Sequence, residues 1–275
     1  MNIAKDCLVL NLQVGTWMGY KLDKATTRRV TDEAGATSDA ARVNKHIIPT
    51  ESLKPVTVAV GRVRSFFYDS TLPWKDNGDR LLTRTRYMDF IEKFEQLKSE
   101  HDDAAEDFLI NRYPKAKAQA EFRMGELFNL NDYPSADALR HKFYVNLDID
   151  AVGSAFDARL DDRADILQAR VNKAVQSLWT RLAAPLEKFS EKMNGNDIFR
   201  DSLVLNLREV SAFIGDLNLT GDPELEEIRQ RIDTELAAYD PDDIRKDPKL
   251  RKALGDEAQS IIDTMSSFMA AFSGV

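Results

Sequence analysis

The chain contains a single cysteine, Cys7, among 275 residues, which excludes an intramolecular disulfide and suits a reducing compartment. It contains no apolar run near the length of about eighteen residues that a membrane-spanning helix needs. Its N-terminal residues include Lys5, Asp6 and several amides where a signal peptide would have an apolar block. We therefore expect a cytoplasmic protein with no membrane partner. Cys7 lies in an alternating strand pattern, which favours a packed thiol over a nucleophile, since a nucleophile needs a nearby base or cation.

The common catalytic and cofactor signatures are also missing: a Walker phosphate loop, a dinucleotide glycine fingerprint, a Gly-x-Ser-x-Gly elbow and a Cys-x-x-Cys pair. The histidines His46, His101 and His141 are scattered, and none has a second ligand at the spacing of a helical zinc site. The sequence therefore predicts no cofactor and favours a non-enzymatic protein. His101 occupies an interior helical position beside Asp102, where it is either a packed core histidine or a pH-sensitive one.

The net charge of −8 is unevenly distributed along the chain. Residues 1–86 carry 14 Lys and Arg against 9 Asp and Glu, whereas residues 87–275 carry 24 against 37. A mildly basic N-terminal part thus precedes an acidic body. Because the acidic body repels polyanions, we expect any nucleic-acid contact to be confined to the N-terminal part.

Cations and aromatic side chains are interleaved along residues 1–86. Cations neutralise phosphates and flat rings stack on bases, a combination used by proteins that bind single-stranded nucleic acid. Phe67 shares an apolar helical face with Val60 and Val63, so at least half of the rings are expected to lie in the core instead. The interleaved set comprises Trp17, Tyr20, Lys21, Arg28, Arg29, Arg62, Arg64, Phe66, Phe67, Tyr68, Trp74, Lys75, Arg80, Arg84 and Arg86. The residues predicted to bind nucleic acid are Arg28, Arg29, Arg62, Arg64, Trp74, Arg84 and Arg86.

Two segments alternate apolar and polar side chains with the period of a β-strand. They are 8–14, which ends at Gly15, and 143–150, which is followed by Gly153. Because a single strand cannot satisfy its own backbone groups, we expect these two strands to pair. A third piece of sheet, a hairpin around a tight turn, is predicted at 72–74 and 80–83, with Asp76-Asn77-Gly78 as the turn.

The longest predicted helix covers 154–193, about forty residues without a glycine, and would measure roughly 60 Å. Its apolar positions repeat by threes and fours, so this stripe must be covered by other helices or by a second copy of the chain. Because one compact domain of this size is too small to cover such a helix along its whole length, we predict self-association. Other amphipathic helices are predicted at 56–67 with Pro55 in the first turn, 87–113, 115–128, 199–214, 225–236 and 250–272. Asp-Pro pairs predict helix starts at Asp222, Asp240 and Asp247.

These elements predict an α+β fold that is predominantly α. A small N-terminal sheet with helices is followed by a long-helix bundle or helical hairpin. Because the composition shifts near residue 150, we expect two domains. Residues 1–150 would form a mixed α/β head with a mildly basic N-terminal part, and residues 151–275 would form an acidic, all-helical bundle.

Carboxylates gather where the second predicted strand ends. Asp148 and Asp150 are followed by Asp157, Asp161 and Asp165 at helical spacing. Carboxylates at a strand end and an adjoining helix hold the ions of magnesium-dependent nucleases and phosphatases. The spacing is not specific, because the same acids fit a solvated helix face with ion pairs to nearby arginines. We therefore predict no metal site, with Asp148, Asp150, Asp157 and Asp161 as the candidates if one exists.

Four short motifs are distributed along most of the chain. The opening strand ends in a Trp-x-Gly sequence at 17–19, a Pro-Trp turn lies near Asn77-Gly78, the long helix closes at 111–113, and Leu-Asn-Leu-Thr-Gly-Asp occupies 217–222. Together they resemble a family of phage and mobile-element proteins known only as a domain of unknown function. The resemblance implies an intracellular phage-related setting, beside a hexameric MoxR-like ATPase and a von Willebrand-type protein or among recombination genes. None of the motifs is a catalytic signature, so no functional residue is carried over.

We therefore predict a non-enzymatic intracellular phage or mobile-element protein that acts by macromolecular binding. Its predicted partners are a second copy of itself, an ATPase, and single-stranded nucleic acid in DNA replication or recombination. Two alternatives stay open: a metal-dependent phosphodiester enzyme, and a virion or assembly component, for which long helices and self-association are equally suitable. A divalent ion bound between the second strand and the following helix would indicate the enzyme.

Overall fold

The computed structural model of the protein describes residues 3–152, 164–195, 198–218 and 221–273. These residues form an α+β fold that is predominantly α, which confirms the predicted class. No helix within these ranges is long and apolar enough to cross a membrane. Up to residue 152 the α-helices and β-strands are α1 (Ile3–Asp6), β1 (Cys7–Gly15), β2 (Tyr20–Leu22), α2 (Lys24–Glu33), β3 (Asn44–His46), α3 (Thr50–Ser70), β4 (Leu72–Pro73), β5 (Arg80–Thr83), α4 (Tyr87–Asp107), α5 (Tyr113–Ala118), α6 (Ala120–Met124), α7 (Ala136–Arg140) and β6 (Tyr144–Ala151). From residue 164 they are α8 (Ala164–Asn194), α9 (Ser202–Leu217), α10 (Pro223–Arg231), α11 (Pro241–Lys246) and α12 (Pro248–Ser273).

The main sheet has the strand order β4-β5-β1-β6. Strands β1 and β6 are hydrogen-bonded neighbours, as their alternation predicted, although more than a hundred residues separate them. Strand β5 pairs antiparallel with β1, with Cys7 opposite Thr83, and β4 and β5 form the predicted hairpin, with Leu72 opposite Leu81. A second sheet, the antiparallel ribbon β2-β3, was not predicted, because strands of three residues are too short to show alternation.

The described chain divides into two compact units. The first unit comprises 1–11, 68–90 and 148–275, and the second comprises 12–67 and 91–147. The predicted boundary at 150 thus lies near the start of the last segment of the first unit, but two N-terminal segments group with that segment. The reason is packing, because Cys7, Leu72 and Leu81 share one hydrophobic core with α8.

Helix α8 forms the centre of the first unit. Its 31 residues span roughly 46 Å, and the segment 154–163 of the predicted longer helix lies outside the described residues. Leu178, Trp179, Leu182 and Phe189 are fully buried in a core to which α9 and α12 contribute, and each such side chain stabilises the fold by about 1.5–3 kcal/mol. The apolar stripe of α8, as far as it is described, is therefore covered within its own unit. The length of this helix thus no longer supports the prediction of self-association.

Aspartates begin three helices of the first unit, as the Asp-Pro pairs predicted. The side chains of Asp222, Asp240 and Asp247 each accept a hydrogen bond from the backbone N–H two residues later, at 2.9, 2.8 and 2.9 Å. The C-terminal end of α8 is also capped. There the Arg251 guanidinium of α12 donates to the carbonyls of Lys192 and Gly195, both at 2.6 Å. These bonds satisfy backbone groups that a helix end leaves free.

The predicted helix 115–128 is divided into α5 and α6, and α6 ends at Met124. Two helix starts also differ from the prediction by three residues or more. Pro55 is the sixth residue of α3 and not a first-turn residue, because the helix begins at Thr50 and already buries Leu53. Helix α9 begins at Ser202 instead of 199, and Phe199 precedes it with the Arg245 guanidinium 4.9 Å from its ring centroid. In both cases tertiary packing sets the boundary, which local spacing alone does not reveal.

Candidate nucleic-acid interface

An open cleft of about 470 Å³ lies in the second unit. One wall comes from the turn between β1 and β2, and the other comes from the segment that leads from α7 into β6. None of the described lining residues is a carboxylate. The lining residues are Gly15, Thr16, Trp17, Met18, Tyr20, His141, Lys142 and Tyr144.

Gly19 shapes the first wall. Its φ of +65° lies in the left-handed region that favours glycine. A β-carbon there would lie 2.8 Å from Ile48 Cγ1 and 2.9 Å from Leu53 Cδ1, so the turn also needs the space that glycine leaves. The Gly19 carbonyl accepts a hydrogen bond from the Ile47 N–H at 3.0 Å. These constraints give the Trp-x-Gly sequence a structural reason, since they hold the turn that carries Trp17.

Trp17 is half-buried and braced from behind by other rings. Its ring meets Tyr113 edge-on, with centroids 5.7 Å apart and an interplanar angle of 89°, and lies 6.2 Å from Phe108. The Tyr113 hydroxyl donates to the Pro134 carbonyl at 2.6 Å, and burial raises the pKa of Tyr113 to about 12. The indole is therefore held in place by the core, and the part that is not buried lines the cleft.

Tyr144 belongs to the outer face of β6. Val145 is buried, whereas Tyr144 is 42% exposed, as strand alternation requires. The ring lies against the backbone of Gly15, where a β-carbon would stand 2.5 Å from Tyr144 Cδ1. Tyr20, also 42% exposed, meets the His46 ring edge-on at 5.9 Å. The cleft thus has aromatic surface from three side chains that reach solvent.

Lys142 supplies a positive charge to the cleft, and His141 beside it supplies an imidazole that can donate a hydrogen bond. Both follow α7 directly and are exposed, and the Lys142 N–H donates to the Leu139 carbonyl at 2.8 Å, which fixes the backbone. Within the described ranges neither side chain forms an ion pair. A site with aromatic faces, a lysine without an ion pair and no carboxylate suits an anionic ligand with a flat ring.

Four of the predicted arginines belong to the second unit. Arg28 and Arg29 are exposed on α2, and Arg62 and Arg64 are exposed on α3. Arg62 pairs with Glu100 at 3.2 Å. In the part of the chain that the structure describes, the side chains of the other three form no ion pair, so their charges are available to a polyanion.

The remaining predicted residues belong to the first unit. Trp74 is only 3% exposed and packs in the core with α8, with the Arg170 guanidinium 5.7 Å from its ring centroid. The expectation that Trp74 stacks on bases is therefore wrong, because the hairpin turns this ring inward. Arg84 is exposed and Arg86 is half-buried. The seven predicted residues are thus divided between two units.

Lys21 and Lys45 have a different role from that of the free cations. They lie opposite each other on the β2-β3 ribbon, and each contacts a carboxylate oxygen of Asp132 at 2.7 Å. Although burial alone would raise the pKa of Asp132, hydrogen bonds and charge from the two lysines hold it below its usual range. Asp132 is buried, so this pair of contacts compensates a charge in the interior and stabilises the fold of the second unit.

The acidic candidates do not assemble a metal site in the described part of the chain. Asp148 and Asp150 are exposed on β6, whereas Asp157 and Asp161 lie outside the described residues. No group of three or more His, Cys, Asp or Glu side chains that could hold a metal ion occurs among the described residues.

Two further sequence candidates are core residues. Cys7 is fully buried, and desolvation raises the pKa of its thiol to about 11, which confirms a packed thiol and not a nucleophile. His101 is also fully buried, with Nδ1 2.9 Å from Asp102 Oδ1. This placement confirms that His101 lies in the core. Its Nε2 is buried without a hydrogen-bond partner among the described residues, so burial does not decide between a packed and a pH-sensitive histidine.

No protein-family model matches the chain, and no curated protein or solved structure shows significant similarity to it. The resemblance to a phage family therefore stays a prediction. Trp17 and Tyr20 belonged to the interleaved set found in the sequence, but His141, Lys142 and Tyr144 were missed as site residues. The signal for Tyr144 was its outward position in the alternating strand. Nothing local connects Lys142 with Trp17, since they approach each other only after folding.

Proposed function

We propose that the protein is a non-enzymatic binding protein whose second unit contacts single-stranded nucleic acid. The observation that carries this proposal is the cleft between 15–20 and 141–144, where three aromatic side chains meet the Lys142 ammonium and the His141 imidazole without a carboxylate. Rings accept stacked bases and cations neutralise phosphates, and the combination tolerates many base sequences. The alternative of a metal-dependent phosphodiester enzyme has no support among the described residues.

The charge distribution over the two units supports the same assignment. The second unit carries 17 Lys and Arg against 16 Asp and Glu, whereas the first carries 21 against 30. The acidic excess therefore belongs to the first unit. Exposed cations such as Arg28, Arg29 and Arg64 can act in the second unit without a large opposing net charge.

The biological setting rests on the resemblance alone. A phage or mobile-element protein that binds single strands would act in DNA replication or recombination in the cytoplasm of the host cell. A hexameric ATPase would be its partner. The acidic first unit would contact this ATPase, while the second unit contacts nucleic acid. A virion or assembly component is the alternative in this setting.

A pair of charge-reversed variants tests the proposal. Arg28→Glu/Arg29→Glu is compared with Lys249→Glu/Lys252→Glu, which makes the same change of charge at exposed positions of α12 in the first unit. Binding of a fluorescein-labelled oligothymidylate is measured by anisotropy. We expect the α2 double variant to lose affinity by about tenfold or more and the α12 variant to lose little, because negative charge added to the second unit repels a polyanion that this unit binds. Equal affinities of wild type and both variants, or no binding by wild type, would contradict the proposal.

Self-association is a second candidate function, favoured by one observation. Phe122 on α6 is 97% exposed and Leu130 is 60% exposed, both in the second unit. An apolar side chain as exposed as that of Phe122 is available for contact with a second copy of the chain. We expect light scattering at tens of micromolar to give a dimer or larger species for wild type and a monomer for Phe122→Glu. A strictly monomeric wild type would exclude this candidate.

A further inference from the structure

We infer that the cleft of the second unit binds one unpaired nucleotide, with its base against the rings of Trp17 and Tyr144 and its phosphate at Lys142 and His141. This inference deepens the proposed function and rests on it, since it names the part of a strand that the site recognises. The ligand class is a nucleoside monophosphate, either free or as one unit of a single strand.

The size of the cleft supports a single nucleotide. Its volume of about 470 Å³ lies in the range of roughly 300–1,000 Å³ found for small-molecule sites. A base in a duplex has both faces stacked on its neighbours, so only an unpaired base can place a face on a protein ring. The site is therefore expected to prefer single strands to duplexes.

The two rings are fixed before a ligand arrives. Tyr113 and Phe108 brace Trp17 from the core, and the absence of a side chain at Gly15 lets the Tyr144 ring lie on the backbone. Stacking on rings that are already placed costs little side-chain entropy, so more of the contact energy appears as affinity.

The charges around the rings select an anion. Lys142 and His141 are exposed at the rim, and none of the described residues that line the cleft carries a negative charge. Met18, 58% exposed, adds a flexible apolar side chain on the wall formed by the β1-β2 turn. A nucleotide fits both the aromatic rings, through its base, and the positive charge, through its phosphate. An uncharged nucleoside fits the rings alone.

The tryptophans provide a reporter for this site. Trp17 is the one that reaches solvent, because Trp74 is 3% and Trp179 is 0% exposed, both in the core of the first unit. Titration of the full chain with deoxyadenosine monophosphate should therefore change the emission of Trp17 alone. We expect a saturable change that single-stranded oligonucleotide competes away, that deoxyadenosine produces only at higher concentration, and that Trp17→Phe abolishes.

Two variants locate the ligand, and each has a matched control. Tyr144→Leu removes a ring and Lys142→Glu reverses a rim charge, and each should weaken nucleotide binding by about fivefold or more. Tyr239→Leu and Lys252→Glu change exposed residues of the same types in the first unit and should bind like wild type. Lys142 is exposed, so its variant keeps the fold, and thermal unfolding of all four verifies this.

The outcomes separate the inference from the proposed function. If oligonucleotide binds by anisotropy but neither nucleotide nor oligonucleotide changes Trp17 emission, the inference is overturned and the proposed function stands. If nucleotide binds in the cleft but oligonucleotide does not bind, the cleft assignment stands and the proposed function fails. If a tyrosine-rich acidic peptide binds and nucleotide does not, the cleft is a peptide site and the inference is overturned.

Discussion

The ring of Tyr144 lies on the backbone of Gly15, so closely that a β-carbon at Gly15 would stand 2.5 Å from Cδ1 and 2.7 Å from Cζ. The two residues belong to neighbouring strands, β6 and β1. A glycine beside an aromatic residue on a neighbouring strand leaves space that the ring covers. The position of one wall of the cleft therefore depends on the absence of a side chain on the other.

Gly15→Ala should displace the Tyr144 ring and weaken nucleotide binding. The backbone of Gly15 does not adopt a positive φ, so alanine is acceptable to the main chain and acts through the ring alone. We expect nucleotide affinity to fall by a factor similar to that of Tyr144→Leu, as measured by Trp17 emission, while the melting temperature changes little. An affinity equal to that of wild type would show that the ring position is unimportant for binding.

Gly255→Ala should destabilise the first unit. A β-carbon at Gly255 of α12 would lie 2.5 Å from Oδ1 and 2.8 Å from Cγ of Asn194 on α8, so the two helices would have to separate or Asn194 would have to move. Asn194 is exposed, so its side chain can move and the main loss is its hydrogen bond to Ser190 Oγ at 3.3 Å. We expect a loss of about 1 kcal/mol in the free energy of unfolding, measured by urea denaturation.

Gly61→Ala is the matched control for this substitution. Gly61 lies inside α3 with nothing within 4 Å of a β-carbon, so alanine adds helix propensity without a clash. We expect a gain of about 0.5–1 kcal/mol. If both variants were stabilised, the close approach of α8 and α12 at Gly255 would be refuted.

Asp222→Ala should remove the cap of α10. The Asp222 carboxylate accepts from the backbone N–H groups of Glu224 and Leu225 at 2.9 and 3.3 Å. We expect the variant to lose about 1 kcal/mol of unfolding free energy. Asp256→Ala, at an exposed interior position of α12, should cause no loss. Equal melting temperatures for Asp222→Ala and wild type would mean that the helix does not depend on this cap.

Cys7 should be unreactive in the folded protein. Burial is the main cause that raises the pKa of its thiol to about 11, so at neutral pH the thiol is both protonated and inaccessible. We expect an aromatic disulfide reagent to modify Cys7 in urea but not in buffer. Because the folded pKa exceeds the unfolded one, the contribution of Cys7 to stability is complete below the usual thiol range and decreases as pH rises towards 11. Rapid labelling of the native protein would contradict this placement.

Local sequence patterns predicted the helices and strands better than they predicted which of these elements belong to which compact unit. Both kinds of signal are continuous in sequence: the apolar spacing along 154–193, and the aspartates before Pro223, Pro241 and Pro248. The described helices α8, α10, α11 and α12 agree with them. The division into two units depends on which residues pack together, and no local signal places Cys7 in the core of α8.

The candidate site was only partly predictable for the same reason. The interleaved rings and cations included both Trp17 and Trp74, and only Trp74 was predicted to bind nucleic acid. The hairpin buries Trp74, whereas the β1-β2 turn leaves Trp17 at the surface. Lys142 and Tyr144 meet Trp17 only after β1 and β6 pair. Sequence spacing therefore identified the residue types of the site but only some of its members.

The central claim is that the second unit binds single-stranded nucleic acid, and salt dependence tests it most directly. The affinity of wild type for a single-stranded oligonucleotide and for the matching duplex is measured over a series of salt concentrations. The account predicts tighter binding of the single strand, a logarithmic plot that falls with salt by about 0.7 per phosphate contact, and a flatter slope for Arg28→Glu/Arg29→Glu. Binding that is absent, insensitive to salt, or equally tight for the duplex would contradict the account.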